Sequence, residues 1–132
     1  MGHSGSTEWT FSGLFKATDA TALTNYGRPT VVTQWGCWNN YYVSPRYSTL
    51  SHKLLLSGDR GAAAVLGAST LTTVYSDQAL GELFMPRVVQ PGMTIGKALQ
   101  QAKDELAASR ADLLDVLLGW TILGDPALSV TP

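Results

Sequence analysis

The sequence has few charged residues, a single cysteine and no long apolar run. Only 14% of its 132 residues are charged and the formal net charge is −1, so it lacks the basic surface that binds phosphates and we expect no nucleic-acid partner. The apolar runs, such as residues 113–118, are far too short to cross a bilayer, so we expect no membrane segment. The residues after Met1 are polar or glycine, which predicts no signal peptide.

Cys37 is the only cysteine, which excludes an internal disulfide. With His3 and His52 as the two histidines, the chain has too few ligands for the usual structural zinc sites unless carboxylates join them. We therefore expect no bound metal and no cofactor. A lone cysteine is either a small apolar core side chain or a nucleophile. The count alone favours core packing, so the residues around Cys37 have to decide.

Three apolar stretches predict strands within a chain whose 45% hydrophobic content suffices for the core of one domain. Residues 30–35 (TVVTQW) are β-branched and aromatic, which is typical of a strand buried on both faces. Residues 62–68 (AAAVLGA) fit either a helix or a strand, and their place after a helix and a loop favours a strand. Residues 120–123 precede a turn at Gly124-Asp125-Pro126, which Asp125 is expected to set.

Helices are predicted between these strands. The strongest begins at Thr94 and places one apolar stripe on a single face, at Ile95, Ala98, Leu99, Ala102 and Leu106. The others are predicted over residues 21–26, around residues 50–55 with Ser48 or Ser51 as N-cap, and from Ser76 to a kink or end near Pro86. This order of elements predicts an α/β fold with a mostly parallel sheet covered by helices.

Cys37 directly follows the strand predicted at residues 30–35. Active residues of parallel sheets collect at the carboxyl ends of strands, so this is a position for chemistry. A thiol attacks as its thiolate and needs a neighbouring imidazole to take the proton and later to protonate the leaving amine. Histidine suits this task because its ordinary pKa of about 6.5 lies near working pH. His3, in a loop rich in glycine and serine, is the candidate partner of Cys37.

Gly2-His3-Ser4-Gly5-Ser6 also comes close to the esterase motif G-x-S-x-G, with Ser4 as the nucleophile. That motif needs a strand before the serine, for which we expect no room, and Ser6 stands where its last glycine should be. It also needs a later acid and a later histidine. The only later histidine is His52, which is expected on the surface, so the esterase is the less favoured alternative.

These residues together resemble the gingipain-type cysteine peptidases, which belong with caspases, clostripain and separase. In that family one strand ends in Gly-His and the next strand ends in the catalytic cysteine. The matching residues here are Gly2-His3 and Gln34-Trp35-Gly36-Cys37. The resemblance spans nearly the whole chain, through residues 54–61, Gly67-Ala68-Ser69-Thr70, Thr94-Ile95-Gly96-Lys97-Ala98 and Leu123-Gly124-Asp125-Pro126.

The resemblance implies a caspase-like three-layer α/β sandwich and an endopeptidase that cleaves polypeptides through a thioester acyl-enzyme. Cys37 would attack the scissile carbonyl, His3 would transfer the proton, and the backbone N–H groups of Ser4 and Cys37 would form the oxyanion hole. The family commonly has glycine directly after the histidine, where this chain has Ser4, but a serine still donates its N–H. The resemblance also implies a secreted or cell-surface bacterial protein.

Four aromatic residues lie close to Cys37 in the sequence: Trp35, Trp38, Tyr41 and Tyr42. They either pack in the core and anchor the loop, which is the favoured interpretation, or provide Trp38 and Tyr41 as walls of a substrate pocket. No acidic residue can be assigned to such a pocket, so no arginine or lysine preference is predicted. Asp77 and Glu8 are candidates for substrate contact, but helix capping or solvation is the favoured role for both.

The resemblance begins at the end of the histidine-bearing strand, and in the family several strands and an acidic residue that orients the histidine precede that point. We therefore expect residues 1–132 to be the C-terminal half of the catalytic domain, with its N-terminal strands missing. The strand at residues 30–35 would then have an unpaired edge, and exposed edges recruit other strands. We expect it to pair with the N-terminal half or with another copy, and the chain alone to be weakly active or inactive. A non-catalytic caspase-like interaction scaffold, with His3 and Cys37 as bystanders, is the main alternative.

Overall fold

The computed structural model describes residues 3–44, 46 and 48–131, so Gly2 of the predicted Gly-His motif lies outside the described residues. The strands are β1 (Glu8–Trp9), β2 (Phe15–Lys16), β3 (Thr30–Gln34), β4 (Ala62–Ala68) and β5 (Trp120–Gly124). The helices are α1 (Ala17–Ala20), α2 (Leu50–Leu55), α3 (Val74–Val88), α4 (Ile95–Ser109) and α5 (Leu114–Gly119). The predicted order of strands and helices is confirmed from residue 30 onward, with α5 as an additional short helix, whereas the short strands β1 and β2 were not predicted.

The main sheet has the order β3-β4-β5. β3 and β4 are parallel, as predicted for two strands joined through a helix, and Gln34 at the end of β3 pairs with Gly67. β5 runs antiparallel to β4, with Trp120 opposite Ala68. The sheet is therefore mixed, because the α3–α4–α5 connection returns the chain to the sheet at the carboxyl end of β4 rather than at its start.

Helices cover both faces of this sheet and produce three layers. On one face Val32 and Val65 pack with Leu50 and Leu54 of α2 and with Ala20 of α1. On the other face a larger core contains side chains of β4, of the three later helices and of β5, including Ala64, Leu66, Leu80, Phe84, Ile95, Ala102, Val116 and Trp120. The predicted α/β sandwich is confirmed.

The helix predicted from Thr94 is confirmed in its start and in its buried face. The Thr94 side chain caps α4 by accepting from the Lys97 backbone N–H. The five residues of the predicted apolar stripe are all buried, whereas Gln101 and Asp104 on the opposite face are exposed. A period near 3.6 residues therefore located this helix without help from its neighbours.

The other helices begin at residues different from those predicted. α1 covers residues 17–20 instead of 21–26, with the Asp19 carboxylate accepting from the Lys16 N–H. Thr49, not Ser48 or Ser51, is the N-cap of α2. α3 begins after its cap at Thr73 and continues through Pro86 to Val88, because a proline in the last turn removes only one helical hydrogen bond.

The hairpin β1–β2 joins the start of the chain to the sheet. The Trp9 indole packs against the Phe15 ring and its Nε1 donates to Gln34 Oε1 at 2.7 Å. Three backbone bonds among the described residues hold the loop before the hairpin: from Gly5 N to Glu8 O at 3.1 Å, from Leu50 N to Ser6 O at 2.8 Å and from Ala17 N to Thr7 O at 2.8 Å. Residues 3–6 therefore lie beside the carboxyl end of β3.

β3 is an edge strand in the described part of the chain. Thr30 is exposed and Val31, Val32 and Thr33 are half-buried, so β3 is less covered than the strand buried on both faces that the sequence predicted. The open edge expected from the resemblance is thus present. No helix in the described ranges is both long and apolar enough to span a membrane.

Candidate functional site

Cys37 lies in a turn that is hydrogen-bonded to the neighbouring strands. β3 ends at Gln34, and the turn that follows is bound to the end of β4 by two backbone bonds, from Trp38 N to Thr70 O at 3.0 Å and from Asn40 N to Ala68 O at 2.9 Å. The Asn40 amide also donates to the Thr121 carbonyl and hydroxyl of β5, at 3.1 and 3.0 Å. The thiol is thus carried by a turn with little freedom to move.

Trp38, directly after Cys37, has a left-handed backbone conformation with φ of 63°. This conformation costs a residue other than glycine about 1–2 kcal/mol. Backbone strain of this kind concentrates at functional sites and persists only where the surroundings enforce it. Here the bond from Trp38 N to Thr70 O and the burial of its neighbours Cys37 and Asn39 enforce it.

The loop that carries His3 is hydrogen-bonded to the turn that carries Cys37. Ser4 Oγ donates to the Cys37 carbonyl at 3.1 Å, and Cys37 Sγ donates in return to the Ser4 carbonyl at 3.6 Å. Both residues are buried, with 4% of Ser4 and 7% of Cys37 exposed. The histidine and cysteine segments, 33 residues apart in sequence, are therefore in direct contact.

His3 and Cys37 line the same cleft, which has a volume of about 490 Å³. His3 is exposed, and its ring stacks on Phe11 with the ring centroids 5.9 Å apart and the planes 10° from parallel. Ser4 lines the cleft between them. The two residues that the sequence singled out for proton transfer and nucleophilic attack thus share one surface, while their catalytic roles stay a prediction.

Trp38 and Tyr41 line this cleft as well, together with Phe11 and Leu71. The two rings form an edge-to-face contact with centroids 5.0 Å apart, which fixes both side chains. Trp35 instead faces the core, where its ring lies 4.2 Å from that of Trp120. Of the four aromatic residues near Cys37 in sequence, Trp35 thus packs in the core, Trp38 and Tyr41 line the largely apolar cleft, and Tyr42 is exposed outside both.

A buried polar network beneath the Cys37 turn was not predicted. Asn39 Nδ2 donates to Ser4 Oγ at 2.7 Å and to the Gly36 carbonyl at 3.2 Å. Ser51 Oγ donates to the Asn39 carbonyl at 2.7 Å, and Gln34 Nε2 donates to Ser51 Oγ at 2.8 Å. The pair of asparagines after Cys37 was the one available signal, because asparagine side chains favour turns, where they hydrogen-bond nearby backbone groups.

Asp77 has neither of the roles weighed for it from the sequence. It is only 2% exposed; its carboxylate accepts from Trp120 Nε1 at 2.9 Å and from Thr72 Oγ1 at 3.1 Å. Burial raises the pKa of Asp77 above its ordinary value, and the two hydrogen bonds oppose that rise. Asp77 therefore joins α3 to β5, and it does not line the cleft that contains Cys37.

The remaining candidates take structural positions. His52 is half-buried and caps α2, where its Nδ1 accepts from the Thr49 N–H at 3.3 Å. Asp125 sets the last turn by accepting from the Ala127 N–H at 2.8 Å. Glu8 belongs to β1. Within the described ranges, histidine, cysteine and carboxylate side chains form no group of three that could hold a metal ion.

Comparison with known proteins places these features in a family. The family model of peptidase family C25 matches residues 1–131. The crystal structure of the Arg specific cysteine proteinase gingipain R superposes with a TM-score of 0.77 at 19% identity, covering 98% of this chain and 32% of that one. The complex of Porphyromonas gingivalis RgpB pro- and mature domains gives 0.76 at 20% identity, covering 97% and 32%.

A third solved structure, described only as a protease, superposes with a TM-score of 0.64 at 17% identity and covers 96% of this chain and 33% of its own. No curated protein matches the sequence significantly. The chain thus spans about a third of the length of the solved structures it resembles. At these identities the superpositions establish the gingipain fold that the sequence predicted, and no more than the fold.

Proposed function

This chain belongs to peptidase family C25, and from that membership we propose that it carries the histidine and cysteine of a cysteine endopeptidase active site. The observation that carries the proposal is the shared cleft: His3 and Cys37 both line it, and the segments on either side of it are joined by the Ser4 hydroxyl. The substrate is a polypeptide.

In the proposed reaction, the Cys37 thiol gives its proton to the His3 imidazole and the thiolate attacks the scissile carbonyl carbon. The negative charge that develops on the carbonyl oxygen is stabilised by the backbone N–H groups of Ser4 and Cys37. The imidazolium then protonates the leaving amine as the C–N bond breaks, which leaves a thioester on Cys37. Water, deprotonated by His3, hydrolyses the thioester and returns the thiol.

The cleft wall supports a role for aromatic side chains in holding the substrate. Trp38 and Tyr41 stand beside Cys37 and leave apolar surface in the cleft. A substrate chain laid across this surface buries apolar area against the two rings. We propose Trp38 and Tyr41 as substrate-contacting residues on this ground.

The reactivity of Cys37 tests the proposal directly, because it is the only thiol in the chain. The rate of alkylation by iodoacetamide is measured between pH 5 and 9 for the parent chain and for His3→Ala. An ordinary thiol is only about 1% thiolate at pH 6.5, so an imidazole that accepts its proton should make the parent react at least about tenfold faster than His3→Ala there.

The second histidine supplies the matched control. His52 caps α2 and does not line the cleft, so His52→Ala should keep the parent's pH profile even where it lowers stability. Equal rates for the parent and His3→Ala across the pH range would refute the proposed pair. Peptide cleavage that disappears in Cys37→Ala would extend the result from reactivity to turnover.

The burial of Cys37 favours a second candidate function, a non-catalytic scaffold of the same fold. Only 7% of Cys37 is exposed, and its thiol donates to the Ser4 carbonyl rather than to an imidazole. In this case alkylation is slow and independent of His3. The esterase alternative has no such support, because the Ser4 hydroxyl is buried and donates to the Cys37 carbonyl.

We further propose that the open edge of β3 pairs with a strand from the N-terminal half of the catalytic domain. Two clefts flank this edge, one of about 290 Å³ lined by Thr33, Gln34 and Trp9, and one of about 650 Å³ between Trp35 and α3. Because this chain covers only about a third of the solved structure it resembles, the rest of such a domain is long enough to supply the partner strand. Unpaired backbone groups flanked by uncovered surface are typical of a sheet edge that has a partner.

Sedimentation and amide exchange of the isolated chain test the edge. With the edge open, the N–H groups of β3 that point away from β4 should exchange fast, and pairing between copies should raise the mass with concentration. A stable monomer with every β3 amide strongly protected would contradict the proposal. Completion by the N-terminal half is also why we propose that the chain alone is weakly active or inactive.

A further inference from the structure

Asn39 lies two residues after Cys37, and its side-chain amide has a fixed orientation. Nδ2 donates to Ser4 Oγ and to the Gly36 carbonyl, at 2.7 and 3.2 Å. Exchanging the two amide atoms would place Oδ1 against the Gly36 oxygen, so that two acceptors would face each other. The Ser4 hydroxyl proton is itself directed to the Cys37 carbonyl, and Nδ2 therefore supplies the donor that the Ser4 oxygen accepts.

From this geometry we propose that Asn39 is a positioning residue for the His3–Cys37 pair. A directed chain of hydrogen bonds runs from Asn39 Nδ2 to Ser4 Oγ and from Ser4 Oγ to the Cys37 carbonyl. It holds the residue that follows the imidazole against the residue that carries the thiol. This inference rests on the proposed function, since it matters only where His3 acts on Cys37.

The position of His3 depends on these hydrogen bonds because its own side chain makes few contacts. Its side chain is exposed, and within the described part of the chain its one ring contact is with Phe11, which is itself 72% exposed. Ser4, in contrast, is 4% exposed and hydrogen-bonded in both directions. The backbone from which the imidazole projects is therefore fixed through Ser4, and the Ser4 side chain is fixed through Asn39.

Asn39 is rigid enough to act as an anchor. Its carbonyl accepts from Ser51 Oγ at 2.7 Å, Gln34 Nε2 donates to the same hydroxyl at 2.8 Å, and Trp9 Nε1 donates to Gln34 Oε1 at 2.7 Å. The anchor thus extends from the hairpin through β3 and α2 to the turn. The chain of bonds ends at the Cys37 carbonyl.

The other amide atom of Asn39 contributes no hydrogen bond in the part of the chain that the structure describes, so the side chain acts through Nδ2. Asn39 Oδ1 is buried and has no hydrogen-bond partner among the described residues. A buried acceptor without a partner costs about 1–3 kcal/mol. An apolar side chain of similar size would avoid that loss, but it could not donate to Ser4. What Asn39 contributes is the Nδ2 bond.

The experiment measures the pH profile of Cys37 alkylation in Asn39→Ala and, from the other end of the same bond, in Ser4→Ala. Ser4→Ala keeps the backbone N–H proposed for the oxyanion hole and removes only the hydroxyl. Misplacement of a reacting group by about 1 Å can cost about a hundredfold in rate. We expect Cys37 in both variants to be alkylated at least about tenfold more slowly than in the parent at pH 6.5, at a rate close to that of His3→Ala.

Asn40→Ala is the matched control. Asn40 is the same residue type in the same turn and is fully buried, but its amide bonds to Thr121 instead of Ser4. We expect Asn40→Ala to lower the melting temperature while it keeps the parent's pH profile. A loss of the profile in Asn40→Ala as well would indicate general loosening of the turn and would overturn the assignment to Asn39.

Amide exchange of the loop provides a readout that does not depend on chemistry at Cys37. The Gly5 N–H, bonded to the Glu8 carbonyl at 3.1 Å, should exchange faster in Asn39→Ala and Ser4→Ala and not in Asn40→Ala. If Asn39→Ala does not fold, the results for Ser4→Ala alone test the inference. Parent-like profiles and parent-like exchange in the folded variants would overturn the inference and leave the proposed function intact. A parent that already matches His3→Ala would refute the proposed function itself.

Discussion

Gly61 and Gly58 offer a matched test of whether the isolated chain holds the fold described above. Both have left-handed backbones, with φ of 79° and 80°. A Cβ built on Gly61 would overlap the Leu54 carbonyl oxygen and lie 3.2 Å from its carbon and 3.3 Å from Ser57 Cβ, whereas a Cβ on Gly58 would meet nothing within 4 Å. Replacing each glycine by alanine therefore applies the same backbone strain with and without a steric clash.

Three contributions determine how much each substitution should lower the free energy of unfolding. Left-handed strain destabilises each variant by about 1–2 kcal/mol, and the reduced freedom of the unfolded chain offsets about 0.4–1 kcal/mol of this. Gly58→Ala should therefore lose roughly 1 kcal/mol. Gly61→Ala adds an overpacking term of about 1–3 kcal/mol. Gly61 cannot move away easily, because Asn25 accepts its N–H and donates to its carbonyl, both at 2.9 Å.

The assay is urea or thermal unfolding followed by circular dichroism. The contributions from backbone strain and from the unfolded state cancel between the two variants. The difference between their stabilities therefore measures the clash at the start of β4. At about 4 °C for each kcal/mol, Gly61→Ala should melt about 4–12 °C below Gly58→Ala. Equal midpoints would refute the reasoning, because they would mean that Gly61 does not pack against the end of α2 in the isolated chain.

Two further predictions concern stability near the large core. Because burial raises the pKa of Asp77 in the folded chain above 3.8, the unfolded chain releases this proton first, and the parent should lose stability relative to Asp77→Asn as the pH rises from about 3.8 through the raised value. Melting temperatures of the two proteins from pH 3 to pH 7 that run parallel would contradict this. Thr94→Ala should lower the free energy of unfolding by about 1 kcal/mol because it removes the N-cap of α4. Thr94→Ser keeps a capping hydroxyl and should retain most of that stability. Equal losses of the two variants in urea unfolding would exclude a capping role.

Much of the fold was predictable because its signals are local. The helix from Thr94 follows from one apolar stripe, and the strand at residues 62–68 follows from its length and its position after a helix. The position of Cys37 at the end of β3 needed only the composition of residues 30–35. The likeness to the gingipain fold rested on the order and spacing of short motifs, and the superposed structures confirm it.

The features that were missed depend on distant partners. The direction of β5 is set by how α5 returns to the sheet, and no residue within β5 encodes it. The buried Asp77 carboxylate accepts from Trp120, 43 residues later. The bond between Asn39 and Ser4 joins residues 35 apart. Sequence patterns locate elements, whereas these contacts depend on which elements finally meet.

The proposed pair is held unequally on its two sides. The Cys37 turn is bonded to β4 through two backbone N–H groups and to β5 through the Asn40 amide. The His3 segment is held through the Ser4 side chain and through backbone bonds at Gly5 and Ser6. His3 is exposed whereas Cys37 is buried, and since regions with few buried contacts open at a lower free energy than core strands, we expect the imidazole to be the more mobile partner. In the proposed site, the Ser4 bonds to the rigid cysteine turn would then determine how the imidazole is aligned with the thiol.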